Sequence, residues 1–394
     1  MAKIPKVIFF AGCNFVDYPI GGVLSFARNV IKVFGSKLAL VGVSTDETPV
    51  GQWVQKEIDG ICYHFFSIGK RNCNSARKSF VPVTLRTFCA LLQHKDSILS
   101  IGIRSAFAGG GLSFVAVSNW SWDSFCGSVG GIRNPFDRPR YWYGRAFAPL
   151  WSKWRLDAMK KADVVLVRAD DGEIDEYVNQ TKGQVDRTHV VHFPTRVDTD
   201  IFKPECVSSV REQLSLDKDV LIIVTCGRIS WVKGWDLILN TLSHLIRKRQ
   251  NVKLVFVGDG EDTPKLQIEI QKRGLVDCVL ITGFCNREQV AAYLNAANVF
   301  VMGSHFEGWP TAMVEALACG KPIVSTDISA ASTLVIEGQN GYVVKNRDPI
   351  AFAEAIERAS ELTSANHVSL RLAERYALKY LARDLSQLWP VLAD

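Results

Sequence analysis

Two glutamates eight positions apart, Glu307 and Glu315, lie in HFEGWPTAMVEALACGKP, residues 305–322. Proline is favoured at the first helical position, so Pro310 predicts a helix beginning there. Glu307 then sits in the loop before the helix and Glu315 in its second turn. The unpaired amides of such a helix start form an anion site suited to a phosphate. A carboxylate beside a bound diphosphate would repel it, so both acids suit hydrogen bonds from sugar hydroxyls. A loop acid followed by a helix acid is also a common surface arrangement without function. The second segment is CGRISWVKGWDLIL, residues 226–239. A strand ends at Cys226, and Arg228 and Lys233 occupy the loop before another helix. Two cations there can neutralise a diphosphate as it leaves; taken alone, the segment reads more simply as a solvated loop. A third, weaker signal is Gly21-Gly22 before the first helix, where glycine lets backbone approach a phosphate or merely makes a turn.

Other constellations carry less. Asp170-Asp171 and the Asp259, Glu261, Asp262 group form no D-x-D at a strand end and read as solvated loop acids. His189 and His192 lie along a short strand without further ligands, so no metal is expected. His305, just before Phe306-Glu307, reads as a loop residue rather than a catalyst. Neither a serine-hydrolase elbow nor a phosphate-binding P-loop occurs. The ten cysteines form no CxxC pair, and several lie in apolar runs, as reduced thiols in a core do.

The elements that must position these residues alternate strand with helix. Strands are predicted at 6–12, 38–43, 61–67, 113–118 and 164–167, then at 220–226, 253–258, 279–282, 299–302 and 322–325. Helices are predicted at 23–33, 235–249, 262–273, 287–295, 310–318 and 349–360. Strand alternating with helix implies parallel sheets, and runs such as LIIVTC belong in a sheet covered on both faces. The fold expected is α/β, with two Rossmann-like doubly wound domains facing across a ligand cleft. Residues 1–195 form the first domain and 196–378 the second, with a hinge at 194–210. A C-terminal helix at about 379–394 is a candidate to pack back on the first.

A chain of 394 residues exceeds one compact core. With 47% hydrophobic and 22% charged residues it is neither disordered, collagen-like nor a coiled coil. Charge is uneven: 1–195 holds 24 basic against 16 acidic residues, and 71–168 holds 15 against 5. Tryptophans 120, 122, 142, 151 and 154 interleave with that basic stretch, as a membrane surface or a solvated face would require. No nucleic-acid-binding pattern accompanies it. The start lacks signal-peptide architecture, and the uncharged stretch 105–122 is too polar to span a bilayer, so a cytoplasmic location is expected, with peripheral membrane contact.

Together these segments resemble the retaining, nucleotide-sugar-dependent glycosyltransferases of family 4, which have the GT-B fold. The pieces are the early glycine loop, FPTRVDTDIFKP (193–204), GRISWVKG, VFVGDGE, ITGF and FEGWPTAMVEALACGKPIVST. The resemblance implies sugar transfer from a nucleotide diphosphate sugar with retained anomeric configuration and no catalytic metal. By it, Arg228 and Lys233 bind the donor diphosphate, Glu307 contacts the donor sugar and Glu315 the ribose. The backbone around Gly308, Trp309, Pro310 and Thr311 touches sugar and phosphate, and Gly21 and Gly22 line the donor from the other domain. The implied acceptor is a glycan or lipid-linked glycan in cell-surface polysaccharide or lipopolysaccharide synthesis. Many members carry a histidine after a mid-domain strand; here FVAVSNWSWDSF (114–125) offers Asn119, Trp120 and Asp123 instead. The alternatives are a sugar-nucleotide epimerase on the same fold and a non-catalytic scaffold subunit.

Overall fold

The computed structural model describes residues 7–18, 22–70, 112–118, 121–129, six positions between 149 and 160, 162–248 and 251–393. Chain contacts divide it into two units, Met1–Thr195 with Lys379–Asp394, and Arg196–Leu378.

In the second unit every strand is a short apolar run followed by a helix. The strands are β9 (Leu221–Cys226), β10 (Val252–Val257), β11 (Val279–Ile281), β12 (Val299–Met302), β13 (Ile323–Thr326) and β14 (Gly341–Val344). They pair in the order β11-β10-β9-β12-β13-β14, all parallel. Alternate residues face opposite sides. Ile222 and Val224 join one core with Leu294, Met313 and Leu317, while Leu221 and Ile223 join the other with Leu239, Leu242 and Phe352. Covering both faces is what lets these strands be apolar throughout. Truncating such a side chain to alanine costs about 2–5 kcal/mol. The order runs outward both ways from the β9/β12 pair, so the two connections leaving those strands diverge and open a crevice at their carboxyl ends.

The first unit departs from the expected all-parallel sheet. Its strands are β1 (Val7–Ala11), β2 (Leu38–Ser44), β3 (Trp53–Ile58), β4 (Ile61–Lys70), β5 (Leu112–Ser118), β6 (Ser121–Val129), β7 (Val164–Val167) and β8 (Val190–His192). The order is β3-β4-β2-β1-β5-β6-β7-β8. The pairs β3–β4, β1–β5 and β5–β6 are antiparallel and the others parallel. For β3–β4 and β5–β6 the reason is connection length, because only two residues join each pair and a parallel crossover needs a dozen or more. Only Asp59 and Gly60 join β3 to β4, with φ of 50° and 79°, the backbone of a tight two-residue hairpin. Helix α1 (Gly22–Phe34) buries Phe26, Ala27 and Val30. In the C-terminal segment, helix Leu381–Leu388 is followed by the buried Trp389, which donates from Nε1 to Ser124 at 2.6 Å. Among the described residues, no helix is long and apolar enough to cross a membrane.

Candidate active site

The crevice at the carboxyl ends of β9 and β12 brings two of the expected charges together. After β9 the chain passes through Gly227 and Arg228 into a 3-10 turn, Trp231–Lys233, and then into the helix Trp235–Lys248. After β12 it runs through Ser304 and Glu307 into the helix Thr311–Ala318. Lys233 Nζ meets Glu307 Oε1 at 2.6 Å, and the Ser304 hydroxyl donates to the same oxygen at 2.6 Å. The Glu307 side chain is only 11% exposed, so its charge is held by two donors rather than by bulk water. Lys233 is half-buried in this pair, whereas Arg228 is exposed, 3.9 Å from Glu261.

Two glycines allow the close approach. Gly234 has φ of 65°, and a Cβ there would lie 1.8 Å from the Gly303 carbonyl oxygen. Gly260 packs on the turn after β9, where a Cβ would lie 2.0 Å from the Ile229 carbonyl oxygen. A small cavity lined by Gly227, Arg228, Lys233 and Trp235 lies beside the ion pair.

Glu315 occupies a different environment. Part of the residue touches solvent, but burial pushes its carboxyl up to about 7, opposed by the Arg287 guanidinium. Arg287 itself lies 3.6 Å from Asp198 and over the Phe202 ring. Burial, with Glu315 near, also pushes the Cys226 thiol far up, so it stays protonated. Glu307 and Glu315 belong to one motif yet differ in kind: one is ion-paired at the crevice, the other lies in the second turn of the helix with its carboxyl raised by burial.

The remaining expected residues fall as follows. Pro310 is the residue before the helix rather than its first position. The Thr311 amide already donates to the Trp309 carbonyl at 3.0 Å. The Trp309 side chain is buried with its ring on Tyr376, which leaves only its backbone for a ligand. Gly308 lies in the loop beside Glu307 and is half-buried. Gly22 is the exposed first residue of α1, and Gly21 lies outside the described residues. Asn119, Trp120, the side chains of Trp122 and Asp123, and the aromatic-basic run 138–145 also lie outside them.

Asp170 caps the helix Asp171–Gln180, and Asp171 pairs with Arg187 at 2.8 Å. Asp259 accepts from Thr263 and Asp262 pairs with Lys265, so these acids have local structural partners. His189 lies in a 3-10 turn and His192 in β8. Among the described residues no cluster could hold a metal ion, and the eight described cysteines are free thiols. Sequence reasoning does not single out Ser304, Trp231 or Arg347. Arg347 donates to the Gly303 carbonyl at 2.6 Å and lies 3.6 Å from Asp236, tying the base of one crevice loop to the helix that follows the other. Only Trp231 had a signal in sequence, standing between Arg228 and Lys233.

A D-inositol 3-phosphate glycosyltransferase of Xylanimonas cellulosilytica is 32% identical over 205 residues, 50% of this chain and 48% of that protein. An alpha-D-kanosaminyltransferase of Streptomyces kanamyceticus is 29% identical over 212 residues, 52% and 54% of the two chains. The chain thus spans about half the length of the curated relatives it matches. Sucrose-phosphate synthase of Thermosynechococcus elongatus superimposes with a TM-score of 0.69 at 17% identity, over 94% of both chains. HepE of Anabaena, solved with UDP-glucose, gives 0.65 at 14% identity, over 92% and 94%. The fold is therefore that of the GT-B glycosyltransferases. The stretch that carries Arg228, Lys233, Glu307 and Glu315, residues 208–374, matches the family of glycosyl transferases group 1.

Proposed function

We propose that this chain moves a sugar from a nucleotide diphosphate sugar, with retained anomeric configuration, to a glycan or lipid-linked acceptor in cell-surface polysaccharide or lipopolysaccharide synthesis. The observation that carries the reading is the Lys233–Glu307 pair at 2.6 Å, seated where β9 and β12 diverge. In the free protein each charge compensates the other. When donor enters, Lys233 and the exposed Arg228 turn to the diphosphate, and Glu307 accepts from the hydroxyls of the donor sugar. As the bond between the anomeric carbon and the diphosphate oxygen breaks, its electron pair stays on the diphosphate, while the acceptor hydroxyl oxygen bonds to that carbon and gives its proton to the departing diphosphate oxygen. The two cations stabilise that charge, an effect worth roughly 2.7–4 kcal/mol for one preorganised donor. The helix start at Thr311 adds its positive end. Glu315 takes the ribose.

No metal is assigned to the reaction, because the cations supply the neutralisation; the rate should survive chelation with EDTA. The solved structures of HepE with UDP and UDP-glucose support a nucleotide-sugar donor. The test is purified protein with UDP-, GDP- and ADP-sugars, with and without lipid-linked acceptor, followed by NMR of the product anomer. An α-configured donor giving an α-linked product supports the reading. Free nucleoside diphosphate and an inverted product refute retention, and a free epimerised sugar points to an epimerase. Failure of every nucleotide to shift the melting temperature points to a scaffold subunit.

On this reading the acceptor is met at the cytoplasmic face of a membrane. The basic excess in 71–168 and the aromatics of RPRYWYGR (138–145) support peripheral attachment to anionic lipid. Sedimentation with anionic vesicles at low salt, lost at high salt, is the expected result. Protein left in the supernatant at low salt would make the acceptor a soluble one.

A further inference from the structure

Among the described residues, Trp231 is the one tryptophan with half its surface open, at 51%. One face of its ring lies on the His305 ring, with centroids 4.1 Å apart and planes inclined by 22°. Main chain ties the two segments together, because the His305 amide donates to the Val232 carbonyl at 2.8 Å. Two residues further along each segment, Lys233 meets Glu307. The bases are clamped by Arg347 on the Gly303 carbonyl and by the contact of Gly234 with Gly303. These ties hold the segment carrying Trp231 and Lys233 in register with the one carrying His305 and Glu307. Burial, with Arg347 facing it and Asp236 acting in the opposite sense, lowers the His305 pKa from its ordinary value and favours the neutral ring. It backs the tryptophan as a flat uncharged surface.

A rigid indole with one face covered and the rest open suits the C–H face of a pyranose ring, whose hydroxyl rim then reaches the charged groups alongside. Its position separates hexose from base. In the proposed function Glu315 takes the ribose, so the base lies beyond it, whereas Trp231 and His305 stand on the Glu307 side. We propose that Trp231, backed by His305, is a stacking platform that selects the hexose ring of a substrate beside the Lys233–Glu307 pair. This rests on the proposed function. The hexose has two sources, donor sugar or acceptor glycan, and one set of measurements distinguishes them.

The experiment compares full-length wild type, Trp231→Ala and Trp231→Phe. Calorimetry with UDP, GDP, UDP-glucose and GDP-mannose gives Kd values, and initial rates with a hexoside acceptor give KM and kcat. In Trp231→Ala the Kd of the bare nucleoside diphosphate should stay within twofold, which also shows that the variant is folded. Loss of the gain in affinity that the hexose adds, by about tenfold, places the donor sugar on the platform. A tenfold rise in acceptor KM with donor binding intact places the acceptor there. Trp231→Phe should recover most of either loss. If every Kd and KM stays within twofold in Trp231→Ala, whatever kcat does, the platform is refuted. Weaker binding of the bare nucleoside diphosphate also refutes it, since a base or phosphate would then occupy the indole. If wild type binds no nucleotide at all, the proposed function fails first, and the platform with it.

Discussion

Gly22 and Gly234 both stand beside the start of a helix, one in each unit, yet they answer to different demands. At Gly234 the backbone is left-handed, with φ of 65°, and the Gly303 carbonyl occupies the place a side chain would take. At Gly22 a Cβ would meet nothing within 4 Å. Packing therefore dictates glycine at 234 and does not at 22. A glycine required at 22 would be required by a ligand. The same contrast runs through the two units. The second has a parallel sheet whose divergent strands β9 and β12 seat opposite charges at one crevice. The first has a mixed sheet with short hairpins.

The largest effect is expected at Gly234. Gly234→Ala forces a side chain onto the Gly303 carbonyl in a backbone conformation that alanine resists. Denaturant unfolding should show a loss of about 3–5 kcal/mol; a loss below 1 kcal/mol would mean the two loops move apart freely. Lys233→Ala should lower kcat by about 100- to 1,000-fold, the loss of one preorganised cation. It should also reduce stability by about 1 kcal/mol, since Glu307 is left with Ser304 alone. Arg228→Ala, at an exposed site, should cost activity without that stability term. Equal melting temperatures for the two variants would contradict the pairing.

Glu315 offers a pH test. A carboxyl raised from 4.5 to about 7 in the folded state binds its proton more tightly there than in the unfolded chain. Stability therefore falls as pH rises from about 4.5 to about 7, by about 3 kcal/mol at most. Glu315→Gln should remove that slope and be more stable than wild type at pH 8 but not at pH 4. Kinetically it should raise donor KM, because a ribose contact is alike in ground and transition states, whereas Glu307→Gln should lower kcat. Equal effects on KM alone would dissolve the distinction.

Gly22→Ala should change stability by less than about 1 kcal/mol. If donor KM nevertheless rises while unfolding is unchanged, Gly22 faces the donor; unchanged KM makes it an ordinary helix start.

The strands of the second unit are legible in the chain alone, because continuous apolar runs such as LIIVTC and KLVFVG have no stable place except between two layers of helices. The sequence also makes Arg228, Lys233, Glu307 and Glu315 candidates for chemistry, since motif spacing is a property of the chain. The Asp59-Gly60 hairpin is legible too, as two adjacent turn residues between strand-like segments, but the alternation of strand with helix masks it. Only the tertiary structure decided that Lys233 and Glu307, 74 residues apart, share a proton-donor contact at 2.6 Å. It alone decided that Glu315 is pushed to about 7 and that Trp231 stacks on His305. Local pattern sets where a strand ends and a helix begins. Which strand ends lie side by side, and how much water remains between the side chains they carry, depends on sheet order, and sheet order joins residues far apart in the chain.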